Sequence, residues 1–140
     1  MIRILHVVFQ MNRGGMESRI MDIYRSINRE EISFDFLEHT SELCEYDKEI
    51  VSLGGKIYKD RYSLKKVLET ICYLRHFFKN KGKDYDYIHV HESYLPNINY
   101  VVMFFAKKYT TNCKFIVHSR SSSGSRRVLH NLVKRDYCQQ

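Results

Sequence analysis

The amino-acid sequence predicts an α/β fold built on a parallel, doubly wound sheet. Three observations carry that prediction. Short apolar runs of strand type alternate with longer runs of helical period along the chain. The first run, residues 2–9, is nearly all apolar, as a strand covered on both faces must be. The 140 residues contain one proline, no repeat and no low-complexity linker, so they read as a single domain, 1–140.

Each element has its own signature. After the first strand, Gln10-Met11-Asn12-Arg13-Gly14-Gly15 is a turn. Over residues 16–27, Met16, Ile20, Ile23 and Ile27 recur at helical spacing and mark the face that meets a sheet. Residues 33–39 (SFDFLEH) read as the second strand. An acidic stretch, 41–49, leads into a short helix ended by Gly54-Gly55, and Lys56-Ile57-Tyr58 makes a short third strand. Residues 64–79 form a helix with Leu64, Val67, Leu68, Ile71 and Phe78 on or near one face. The KNKGK run at 79–83 closes it with cations at the negative end of the helix dipole. Residues 87–91 (YIHVH) are the fourth strand, Pro96 opens a helix through about Tyr109, and 114–118 (KFIVH) is the fifth strand. A polar loop, 119–125, precedes a basic amphipathic helix, 126–135. Five strands alternating with helices imply the doubly wound sheet. No closing element follows at 136–140, so the domain reads as incomplete at its C-terminus.

Composition narrows the function. At 44% hydrophobic and 28% charged residues, the chain has the material for a packed core and not for wholesale disorder. No apolar run reaches the length of a membrane-spanning helix, and Met1-Ile2-Arg3-Ile4-Leu5 does not begin a signal peptide. Cys44, Cys72, Cys113 and Cys138 are scattered with no CxxC pair, which suits reduced thiols in the cytoplasm and not a zinc ribbon or a disulfide framework. The net charge of +7 favours an anionic partner. Eleven tyrosines fall in no RNA-recognition pattern, so no nucleic-acid partner is expected.

Open parallel sheets bind ligands beyond the carboxyl ends of their strands. The residues there are 10–15, His39-Thr40, His91-Glu92-Ser93 and His118-Ser119-Arg120, a polar rim assembled from separate loops. The segment Asn12-Arg13-Gly14-Gly15 lets backbone approach a ligand and turns helix N–H groups outward, toward a phosphate or a sugar hydroxyl. A plain strand-to-helix turn explains the two glycines equally well. Neither GxGxxG nor GxxxxGK[ST] occurs.

His89 and His91 share one face of a strand, an HxH resembling the metal ligands of amidohydrolase-type sites. Such a site needs further His or Asp ligands at other strand ends. His118 supplies one, but no aspartate is read as following a strand, so no metal site is expected. On this reading His89 is a buried structural residue and His91 sits nearer the rim. His118, followed by Ser119-Arg120, is placed to donate to a phosphate or sugar oxygen while Arg120 neutralises charge; a capped strand end is the plain alternative. Arg126, Arg127, Lys134 and Arg135 flank Leu129, Leu132 and Val133, which suits either an anionic membrane surface or a core-facing helix with a solvated basic side.

Taken in order, RILHVVFQMNRGGMESRIMDIYRSI, the 53–58 run Leu-Gly-Gly-Lys-Ile-Tyr, Ile88-His89-Val90-His91 and Ile116-Val117-His118-Ser119 resemble the N-terminal domain of family 4 glycosyltransferases, in their capsular or exopolysaccharide branch. The GG-x-E segment of that family is matched by Gly14, Gly15, Met16 and Glu17. The resemblance implies the N-terminal half of a GT-B fold, with two Rossmann-like domains facing across a cleft. The N-terminal one holds the acceptor and the other most of the nucleotide-sugar.

It further implies retention of anomeric configuration, a nucleotide-sugar as co-substrate and no cofactor or active-site metal. Gly14 and Gly15 would lie against the donor diphosphate or the acceptor, His118 would be the rim histidine near the transferred sugar, and 126–135 would meet a membrane bearing a lipid-linked acceptor. With Asn12, Arg13, His91, Glu92 and Arg120 as further substrate contacts, these are the expected site residues.

Two departures stand out. Arg120 replaces a second histidine that many relatives carry, and the C-terminal domain with its paired glutamates is absent from these 140 residues. Glu30 and Glu38 match the glutamate spacing, but they fall across the second strand and its approach. The expectation is an acceptor-side domain inactive alone, cytoplasmic and peripheral to the inner face of the membrane. The rival expectations are a non-catalytic module recruiting a separately encoded donor domain and a metal-dependent hydrolase using His89 and His91.

Overall fold

A computed structural model describes residues 1–91 and 96–118. The described elements are β1 (Ile2–Val8), α1 (Gly15–Ser26), β2 (Ile32–Glu38), α2 (Asp47–Ser52), β3 (Ile57–Lys59), α3 (Val67–Lys81), β4 (Tyr87–His91), α4 (Pro96–Tyr109) and β5 (Lys114–His118). A single 3-10 turn, Leu64–Lys66, leads into α3. The predicted loop at 119–125 and the basic helix at 126–135 lie outside the described residues.

All five strands join one sheet in the order β3-β2-β1-β4-β5, and every pairing is parallel. The chain winds outward from β1 to β3, returns to the centre at β4 and continues outward to β5. The switch in direction therefore falls between β1 and β4, the point at which such sheets open a ligand crevice. The fold is Rossmann-like, as the alternation of strand and helix predicts.

Strand parity divides the core into two layers. Leu5, Val7, Leu37, Ile88 and Val90 face α3 and α4, where Leu74, Phe77, Phe78, Ile98, Val102 and Phe105 close the layer. On the opposite face Val8, Phe34 and Phe36 meet Ile20, Met21 and Tyr24 of α1 and Ile50 of α2. Burying this much apolar surface on both sides of a parallel sheet is the dominant stabilising term.

Asp35 points into the α3–α4 layer as a polar exception. It accepts hydrogen bonds from the Tyr85 hydroxyl at 2.8 Å, from Arg3 at 3.2 Å and from the Lys56 amide at 2.9 Å, so its burial is compensated. Burial, and then Asp35, push the Tyr85 phenol far above its ordinary range.

Two helices present different faces from those the apolar spacing marks. In α1, Ile20, Met21 and Tyr24 are buried while Ile23 is 48% exposed. The buried arc runs from Ile20 through Tyr24 to Met21, and Ile23 falls about 60° outside its Ile20 edge. In α3, Thr70, Leu74, Phe77 and Phe78 are buried, whereas Leu68, and Leu64 in the turn before the helix, are 78% and 80% exposed. The helix starts at the carboxyl rim, where β3 is only three residues long and offers little sheet to cover its first turn.

The end of α2 follows the sequence expectation. Gly54 takes φ +94°, and the Gly54 and Gly55 amides donate to the Val51 and Ile50 carbonyls at 3.0 Å. Gly55 is small for a different reason. A Cβ there would sit 2.9 Å from both Ile50 Cγ2 and the Phe34 carbonyl oxygen.

Candidate functional site

The loop after β1 is braced from within the chain. Asn12 Oδ1 accepts from the Glu45 amide at 2.9 Å, and the Tyr46 amide donates to the Met11 carbonyl at 3.1 Å. Arg13 pairs with Glu45 at 3.1 Å, an exposed contact of small energetic weight. The substrate role expected of Asn12 therefore competes with a loop-bracing role.

Gly14 caps α1 in an extended conformation, its carbonyl accepting from the Ser18 amide at 3.0 Å. A Cβ at Gly14 would run into the Glu17 carboxylate, whereas one at Gly15 would meet open space. A carboxylate thus already lies over the positive end of α1. An incoming anion has to displace Glu17 or approach on the Gly15 side.

At the ends of β2 and β3 the structure forms a pair that the sequence reading misses. His39 Nδ1 lies 2.5 Å from Asp60 Oδ2, with both side chains buried. A carboxylate only accepts, so the Nδ1–H donates. Nε2 is buried with no hydrogen-bond partner. Asp60 follows β3 directly, which corrects the expectation that no aspartate follows a strand. Ending that strand at Tyr58, where the structure carries it to Lys59, hides Asp60 from view.

Beside this pair, Lys59 bonds Glu38 and Asp47, each at 2.8 Å, beneath the acidic loop. Burial holds the Glu38 carboxyl above its ordinary range, with Lys59 opposing. Glu38 is thus part of a structural ion cluster. Burial also pushes the neighbouring Cys44 thiol up to about 11.

Four histidines gather on the α1-side face of the sheet. His6 stands opposite His89 in the β1–β4 register, and His91 opposite His118 in the β4–β5 register. His6 Nδ1 and His91 Nε2 are 3.1 Å apart. Ring centroids lie 3.9 Å apart for His89 and His91, and 5.9 Å for His91 and His118. Burial, then His91 and His89, hold His6 well below its ordinary pKa; burial, then His118, lowers His89 to about 4.

Exposure within this cluster corrects the expectation that His89 is buried, while His91 does end β4, nearer the rim. His91 is buried and His89 is partly exposed. His89 faces the β5 side, where Ile116, its register partner, is 43% exposed and no described helix covers it. His91 instead stacks against His6 in the sheet centre. His118 is exposed at the end of β5. Glu92, Arg120, Arg126, Arg127, Lys134 and Arg135 lie outside the described residues.

No protein-family model matches the chain. Two curated proteins do. One is named "Putative glycosyltransferase EpsF", from Bacillus subtilis, 36% identical over 93 residues, which is 66% of this chain. The other is the capsular polysaccharide biosynthesis glycosyltransferase CapH of Staphylococcus aureus, 28% identical over 134 residues, or 96% of this chain.

The chain is thus similar in sequence to two proteins named as glycosyltransferases, one of them for capsular polysaccharide biosynthesis. It spans 24% of the length of EpsF and 35% of that of CapH. Among solved structures, the C-terminal domain of a Pyrococcus furiosus hydrogenase superposes with a TM-score of 0.53 at 11% identity, covering 84% of this chain and 91% of that domain. At that identity the likeness concerns the α/β fold alone.

In this glycosyltransferase-like chain, the structure gathers His91 and His118 in one group and ties Asn12 and Arg13 to Glu45 in another. No helix among the described residues is long and apolar enough to cross a membrane.

Proposed function

We propose that the chain forms the acceptor-side, N-terminal domain of a GT-B glycosyltransferase of family 4 type. That enzyme would move a sugar, with retention, from a nucleotide-sugar to a growing polysaccharide or its lipid carrier. The observation that carries this reading is similarity to CapH over 96% of the chain, on a sheet whose switch point opens between the glycine loop and β4.

On this reading Gly15, open at the start of α1, lets backbone N–H groups meet a phosphate or a sugar hydroxyl. His118 reaches the transferred sugar from the rim. Transfer relies on positioning and on electrostatic stabilisation across a cleft, and one wall alone supplies neither in full. A second, nucleotide-sugar domain completes the site, and the 140-residue polypeptide by itself is inactive. No metal ion or cofactor takes part in the transfer.

The domain works at the inner membrane surface, where a lipid-linked acceptor lies. Leu64 and Leu68, exposed beside Lys65 and Lys66 at the carboxyl rim, support that placement, since apolar side chains flanked by cations suit an anionic interface.

The test is an assay of the chain joined to a nucleotide-sugar domain, supplied with labelled nucleotide-sugars and membrane lipid extract. Label entering lipid or glycan, and lost in His118→Ala with folding intact, upholds the reading. Transfer that is indifferent to His118 and Gly15 substitutions removes the proposed site. Binding of the 140 residues to vesicles with no turnover when so joined favours the membrane-recruiting module instead.

A further inference from the structure

The histidines on the sheet face make a more specific arrangement than substrate contact needs. His6, His89 and His91 each offer a ring nitrogen, and the three lie within 4.8 Å of one another. Zinc–nitrogen bonds are about 2.0–2.1 Å long, so two ligands of a tetrahedral ion stand roughly 3.3 Å apart. The 3.1 Å between His6 Nδ1 and His91 Nε2 already matches one edge of that tetrahedron. His89 Nε2 is buried and has no hydrogen-bond partner.

We propose that His6, His89 and His91 form a binding site for a borderline transition-metal ion of the zinc class, leaving one coordination position open toward His118.

Imidazole ligands must be neutral to bind metal, and burial already keeps His6 and His89 in that form. The proton now shared between His6 Nδ1 and His91 Nε2 moves to the other nitrogen of its own ring, so coordination releases no net proton. Three imidazoles and no carboxylate favour zinc, copper or nickel over magnesium or calcium. The β5 side gives the ion a way in, because His89 is partly exposed and Ile116 beside it is 43% exposed. The ring of His118, centred 6.2 Å from that of His89 and 5.9 Å from that of His91, lies on the β5 side of the three. The ion would fasten β1 to β4, the two strands that flank the switch point. None of this depends on the sugar-transfer reading.

The test is titration of the metal-stripped 140-residue chain with Zn²⁺ alone by calorimetry, and with Co²⁺ by visible absorption. The expected result is one equivalent bound, a tetrahedral cobalt spectrum and a thermal shift. His89→Gln and His91→Gln should each weaken binding by more than the roughly 100-fold that losing an outer-shell partner can cost. His76→Gln, on the exposed side of α3, should bind like the unmodified chain.

The proposal is overturned by less than one equivalent of zinc bound, or by His89→Gln binding zinc as tightly as the unmodified chain. Should either variant fail to fold, side-chain resonances of the unmodified chain decide. Zinc shifting the His6, His89 and His91 rings upholds the site, and zinc leaving them in place overturns it.

Discussion

His39 and Asp60 form a sealed pair at the ends of adjacent strands, Nδ1 and Oδ2 lying 2.5 Å apart with side chains 1% and 0% exposed. Removing the acceptor strands a buried ring N–H. Asp60→Ala should therefore lower unfolding free energy by about 1–3 kcal/mol. Asp60→Asn, which keeps an accepting oxygen, should cost less. Urea denaturation of the two variants measures the difference. Equal stability of Asp60→Ala and the unmodified chain would mean that the pair contributes nothing.

Glu38 sets a pH dependence whose sign follows from its surroundings. Burial raises its folded-state pKa, with Lys59 acting in the other direction. A raised carboxyl contributes fully below its unfolded value, about 4.3, and that contribution is lost as pH rises through the folded value. The chain should therefore lose stability relative to Glu38→Gln from about pH 4 upward. Urea midpoints of both proteins along a pH series test this. A gain relative to the variant would show that the Lys59 attraction outweighs burial.

The thiols should separate by reactivity. Cys72 is exposed on α3, while burial pushes Cys44 and Cys113 up to about 11. The thiolate is the reacting species, so among the three described cysteines alkylation at mildly alkaline pH should modify Cys72 before Cys44 and Cys113. Peptide mapping over a time course reads the order, and denaturant should erase it. Cys44 reacting in the native state as fast as Cys72 would contradict the buried assignment.

Membrane contact through the rim predicts a simple loss. Leu64→Glu with Leu68→Glu should reduce sedimentation with anionic vesicles several-fold, because apolar area is replaced by charge that the surface repels. Circular dichroism should be unchanged, since both side chains are solvent-exposed. Undiminished sedimentation would place the contact elsewhere.

The alternation of strands and helices was legible because parity and helical spacing are local properties. So was the end of α2, where Gly54 adopts the left-handed conformation that a glycine past a helix permits. What escaped depends on long-range pairing. A histidine inside the apolar run Ile2–Val8 reads as core, and only the β1–β4 register puts His6 opposite His89. Asp60 escaped through a strand end placed at Tyr58 in place of Lys59. The faces of α1 and α3 were drawn from apolar spacing alone, which cannot say where the sheet beneath a helix stops. Leu64 and Leu68 are exposed for that reason.

The switch in winding direction between β1 and β4 has an evolutionary consequence. The switch point is bordered by the glycine loop near the start of the chain and by the end of β4 at His91, far along the sequence. The two borders stand side by side because β1 and β4 pair directly, Leu5 with Ile88 and Val7 with Val90. Insertions or exchanges on one border leave the sheet's register intact. Change at the rim then requires only new loops on an old frame, so the ligand that such a sheet holds can change faster than the sheet itself.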